Sequence, residues 1–92
     1  MPRPKKHRHC ECALKGRVFK PTGTPLYELD QIWIQQDELE VLRLCDLEGL
    51  IQEQAGKKMG VSRGTVQRLL ASGREKVVSA IINGAALVLG EE

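Results

Sequence analysis

The stretch GKKMGVSRGTVQRLL, residues 56–70, sets a tight turn between two runs that carry apolar residues at helical spacing. Gly60 closes the first run, because glycine takes a left-handed backbone with no Cβ penalty. Val61 points back toward a core and pins the turn. Ser62 is a strong N-cap, so a new helix starts at Arg63. That helix is expected to bury Val66, Leu69, Leu70, Gly73, Val77 and Ile81, spaced at threes and fours, with Gln67, Arg68 and Arg74 off the stripe. The break is a corner between two packed helices.

Working outward, Ile51, Ala55 and Met59 share one i, i+4 row of a helix over residues 51–59, with Gln52, Glu53, Lys57 and Lys58 opposite. Before it, QQDELEVLRLCDLEG (35–49) reads as a capped helix, with Asp37 as N-cap and Glu40 as capping-box partner. Its stripe is Leu39, Val41, Leu42, Leu44, Cys45 and Leu47, and Gly49 stops it. Residues 26–34 read as an extended segment anchored by Leu29, Ile32 and Ile34. Residues 1–25 hold all four prolines with Gly16 and Gly23, and form a basic, largely irregular arm. Residues 26–92 form the domain. After Asn83-Gly84, AALVL (85–89) reads as a short strand that pairs either with the extended segment or with its own copy in a second subunit.

Composition narrows the function. Ninety-two residues support one thin core. Aromatic content of 3% leaves Phe19, Tyr27 and Trp33 unable to form a stacking platform for single-stranded bases. No apolar run approaches the roughly 20 residues of a membrane span. MPRPKKHRH lacks the apolar run of a signal peptide, so a cytoplasmic protein with reduced cysteines is expected. The net charge of +2 is segregated: residues 1–20 carry +6, residues 27–53 carry −7 and residues 54–76 carry +5. Two blocks suit a polyanion, and the third faces elsewhere. Asp37, Glu38 and Glu40 come with no nucleophile, base or phosphate loop, so neither an enzyme nor a cofactor is expected.

A helix, a short turn with Gly and a second helix make a helix-turn-helix. Ala55-Gly56 supplies small residues at the crossing, and Gly60, Val61, Val66 and Leu69 fill the turn and inner positions. An ordinary helical hairpin explains the apolar stripe. It leaves unexplained why the start of the third helix offers Ser62, Arg63, Gly64, Thr65, Gln67 and Arg68. In this motif that segment enters the major groove of double-stranded DNA. Arg pairs with guanine, Gln with adenine, and a Thr methyl meets the thymine methyl. Lys57, Lys58 and Arg74 are better placed for phosphates.

Five segments extend the match: MPRPKK (1–6), FKPTGTPL (19–26), DELEVLRLCDLEGL (37–50), MGVSRGTVQRLL (59–70) and NGAALVL (83–89). Through them the chain resembles a small prokaryotic family of predicted DNA-binding proteins, domain-of-unknown-function family 134. Its helix-turn-helix is similar to region four of sigma factors. The resemblance implies a mainly α fold of the winged-helix-like superfamily with a minor β element, and a sequence-specific transcriptional regulator. Some relatives join this domain to one resembling iron–molybdenum cofactor-binding proteins, which adds a protein partner of that type to the expectations. Gly56 and Gly64 depart from the pattern, where Ala and a longer polar residue are expected. Gly56 should cost about 1 kcal/mol relative to Ala, and Gly64 shifts the reading onto Arg63, Gln67 and Arg68.

Arg3, Lys5, Lys6 and Arg8 read as an arm that gains order on DNA, by analogy with homeodomain arms; a solubilising tail is the plainer reading. His7, His9, Cys10 and Cys12 lie within six residues, too tight for a structural zinc site, and no metal is assigned to them. Two rival functions remain: an interaction module whose acidic first helix docks on transcription machinery, and a thiol or metal sensor working through residues 7–12. A homodimer built on the C-terminal segment is also expected, because Val77, Val78, Ile81 and Ile82 exceed what one short helix-turn-helix buries.

Overall fold

Gly60 adopts φ 70° and ψ 33°, and its amide bonds back to the Gly56 carbonyl. This left-handed residue turns α2 (Gln52–Met59) into α3 (Arg63–Asn83) at the expected corner. The fold comes from a computed structural model that describes residues 16–90. It is mainly helical, with three helices and a small sheet of β1 (Val18–Phe19), β2 (Gln31–Ile34) and β3 (Ala86–Leu89).

The sheet order is β1-β3-β2, which places the C-terminal strand in the centre. β3 runs antiparallel to β1 and parallel to β2, with Ile34 opposite Leu89 and Phe19 opposite Leu87. Both edges of residues 86–89 are therefore used within the chain, and pairing is with the extended segment. Part of the expected irregular arm joins the fold as β1. Residues 26–28 form a single 3-10 turn before β2, so the extended segment is shorter than expected.

The first helix, α1 (Gln36–Leu42), starts one residue before Asp37. Its cap is Gln35 with Glu38, whose Oε1 accepts the Gln35 amide at 2.8 Å. This corrects the assignment to Asp37 and Glu40. β2 ends at Ile34 and feeds straight into the helix, so Asp37 and Glu40 are carried past the cap and buried. After Leu42 the helix widens into one π turn (Arg43–Leu47), and the Glu48 amide reaches the Arg43 carbonyl at 2.9 Å. The wide turn swings Leu47, expected in the stripe, out to solvent. Gly49 then ends the segment in a left-handed conformation, as expected.

The core is Val41, Leu44, Ala55, Met59, Val66 and Leu70, with Val61 and Leu69 packed against it. It sits under the corner and holds α2 and α3 in fixed relation. Ala80 and the sheet residues Ile34, Ala86 and Leu89 are buried toward the other end. Besides Leu47, other expectations of burial fail. Ile51 and Ile81 are exposed, and Leu69 and Val77 are half-buried. Ile51 is the residue that caps α2, at the start of the helix. Along α3 the buried row shifts from Gly73 to Ala80, which faces the sheet and turns Ile81 outward.

Candidate nucleic-acid interface

The start of α3 is built by local capping. Ser62 has φ −73° and ψ 159°, and its Oγ accepts the Thr65 amide at 3.2 Å. Thr65 Oγ1 lies 3.1 Å from Ser62 Oγ and accepts a hydrogen bond from Arg68 Nη2 at 3.2 Å. The chain Ser62–Thr65–Arg68 thus fixes the first turn and holds the Arg68 guanidinium over it. Thr65 is half-buried and Ser62 is engaged as cap, so both are positioning groups first. Arg63, Gly64, Gln67 and Arg68 are exposed. Arg63 and Gln67, and likewise Gly64 and Arg68, are four apart and share a face. A Cβ at Gly64 would meet only Ser62 Oγ, at 3.9 Å, so nothing crowds an approaching ligand there.

Lys57 and Lys58 are exposed in the last turn of α2, beside the same corner. Lys57 lies 3.9 Å from Glu53, an exposed pair that holds the ammonium only weakly. Arg74 is placed differently. Its Nη2 and Nε donate to Asp46 Oδ1 and Oδ2 at 2.6 and 3.1 Å. This two-pronged bond holds the Asp46 carboxyl below its usual range. The pair borders a cleft of about 500 Å³ lined also by Cys45, Leu50, Ile51 and Arg63. Burial, and then the Asp46 charge, pushes the Cys45 thiol above its ordinary value.

Sequence reading missed the brace behind this surface. Glu38, 4% exposed, accepts Lys76 Nζ at 2.7 Å and the Ser72 hydroxyl, besides its bond to the Gln35 amide. Burial alone would raise its carboxyl; the Gln35 amide, Lys76 and Ser72 outweigh that and hold it below the ordinary range. Gly73 lies in the same contact, where a Cβ would come within 3.1 Å of Leu42 Cδ1. α1 and α3 are therefore locked together by charge and close approach, which aims the start of α3. A partner 38 residues away leaves no local signal at Glu38, and the cap reading had gone to its neighbours Asp37 and Glu40.

The acids of the first helix face inward: Asp37, Glu38 and Glu40 are all buried. Arg43 pairs with Glu40 at 2.9 Å and with Glu48. Arg3, Lys5, Lys6 and Arg8, with His7, His9, Cys10 and Cys12, lie outside the described residues. Among the described residues no helix is long and apolar enough to cross a membrane.

The chain matches the family described as "Protein of unknown function DUF134" over residues 1–92, and it belongs to that family. A UPF0251 protein of Pelotomaculum thermopropionicum is 49% identical over 87 residues, covering 95% of this chain and 66% of the relative. One of Shewanella sediminis is 47% identical over 92 residues, covering all of this chain and 96% of the relative. One of Desulforudis audaxviator is 45% identical over 87 residues. The chain thus spans nearly all of the Shewanella relative, but just under two-thirds of the Pelotomaculum one and 57% of the Desulforudis one. No solved structure matches the chain.

Proposed function

We propose that this member of the DUF134 family is a sequence-specific binder of double-stranded DNA that regulates transcription, reading the major groove with the start of α3. The observation that carries this reading is the exposed set Arg63, Gly64, Gln67 and Arg68 on the first two turns of a helix delivered by a Gly60 corner. Arg63 and Gln67 are the base readers, with Arg68 held ready by Thr65. The Gly64 backbone lets the helix approach closely. Lys57 and Lys58 take phosphates on the flank. Arg74 joins them only when it leaves Asp46.

The +5 charge of residues 54–76 supports a polyanion partner. The rival role, docking through an acidic first helix, loses support because three of that helix's acids are buried. Arg3, Lys5, Lys6 and Arg8 would add contacts in an adjacent groove.

Selection of bound sequences from random duplex DNA tests the reading. A recovered motif whose affinity falls steeply with salt is expected, since each neutralised phosphate adds about 0.9 to the slope. Recovery of no motif, with binding to duplex DNA undetected at low salt, would rule it out.

A further inference from the structure

Beyond Lys76, α3 leaves Val78, Ile81 and Ile82 at 56%, 72% and 76% exposure, and Phe19 of β1 is 60% exposed. Val77, Ala80 and Ile81 form, with Phe19, Pro21 and Leu87, an apolar groove of about 480 Å³. Val78 and Ile82 flank Ile81 on the helix and stand as a ridge beside the groove. We propose that this face joins two copies of the chain across a two-fold axis, the ridge of each seated in the groove of the other.

Four observations favour a second copy. A two-fold interface uses the same patch on both partners, so it needs a surface complementary to itself, and an apolar groove bordered by an apolar ridge provides one. Side chains of this size at these exposures leave on the order of 500 Å² of contiguous apolar surface, at the upper end for a monomer. With a polar rim that approaches the roughly 800 Å² per partner of a stable interface. Strand pairing is not an alternative route for residues 86–89, since β1 and β2 already occupy both edges of β3. Residues 1–15 are a poor occupant, because they hold five Lys/Arg, and Leu14 is their one large aliphatic residue besides Met1.

The dimer also fits the DNA reading, and this one point rests on it. Gln67 and Ile82 are separated by about 22 Å of helix. Two copies joined at the ridge can then set their reading ends up to about 45 Å apart, a span that includes the half-site repeat of about 34 Å.

Sedimentation equilibrium of the full chain at micromolar concentration, without DNA, tests the interface independently of the DNA reading. The unaltered chain should show twice the chain mass. Ile82→Glu should weaken association at least tenfold while keeping the helical circular dichroism of the folded chain, its melt falling only by what the lost association contributed. Leu47→Glu, on the π turn, should leave the dimer intact. Should Ile82→Glu fail to fold, Val78→Glu gives the same reading from a second exposed position. A monomeric unaltered chain, or a dimer that survives both ridge substitutions, overturns the proposal.

Discussion

Gly56 and Val61 meet so closely that a Cβ on Gly56 would stand 2.7 Å from the Val61 carbonyl oxygen. The Gly56 carbonyl in turn accepts the Val61 amide at 2.9 Å. The corner of the helix-turn-helix is folded back on α2, its first helix, and only hydrogen fits at residue 56. From sequence, this glycine was a departure that costs helix stability. In the structure it is what allows the turn to close.

Gly56→Ala should therefore lower stability by about 1–3 kcal/mol, the overpacking strain outweighing the gain in helix propensity. Gly64→Ala, with nothing nearer than 3.9 Å, should instead raise stability by up to about 1 kcal/mol. Thermal unfolding followed by circular dichroism separates the two. A Gly56→Ala chain that melts above the parent would show that the corner relaxes freely.

Glu38 links pH to stability. Its folded-state carboxyl is held below the ordinary value of about 4.3, so its contribution is present above that value and is lost as pH falls through the folded one. Glu38→Gln should cost about 1.5–3 kcal/mol at neutral pH, the scale of a hydrogen bond to a charged group. The gap should stay constant down to about pH 5 and narrow below about pH 4. Urea unfolding at a series of pH values measures it. A gap that persists undiminished in acid would mean that Glu38 acts through shape rather than charge.

The Asp46–Arg74 pair holds a cation away from other partners. Asp46→Asn should free Arg74 for a phosphate and strengthen binding to all duplex DNA, raising the salt slope by about 0.9. Arg74→Ala should not produce that gain. Fluorescence anisotropy across a salt series reads both, and identical slopes for Asp46→Asn and the parent would confine Arg74 to a structural role.

Specific and general contacts should separate by position. Arg63→Ala and Gln67→Ala should each cost about 1–3 kcal/mol on the selected site and relax preference at one base pair. Lys57→Ala and Lys58→Ala should weaken selected and random DNA equally. Competition binding on both DNAs decides this. Equal losses from Arg63→Ala on the two would remove it from the readers.

Cap and turn signals were legible at the corner and at both ends of α3, where the partners lie within a few residues; at α1 the adjoining strand moved the cap from Asp37 to Gln35. Gly60, Ser62 and Gly84 bond to partners three to five residues away, and Val66, Leu69, Leu70 and Gly73 recur at helical spacing, so neighbouring residues alone set the corner, the start of α3 and its end. The exposed Arg63, Gln67 and Arg68 follow from the same period. Tertiary structure decided what depends on distant partners. Glu38 meets Lys76 across 38 positions and Asp46 meets Arg74 across 28, and no local pattern encodes either. The strand at 86–89 became central because β1 and β2 flank it, and Ala80 facing that sheet turned Ile81 to solvent. Short-range hydrogen bonds and helical periodicity are written in neighbouring residues. Burial and charge pairing depend on which surfaces the closed chain brings together.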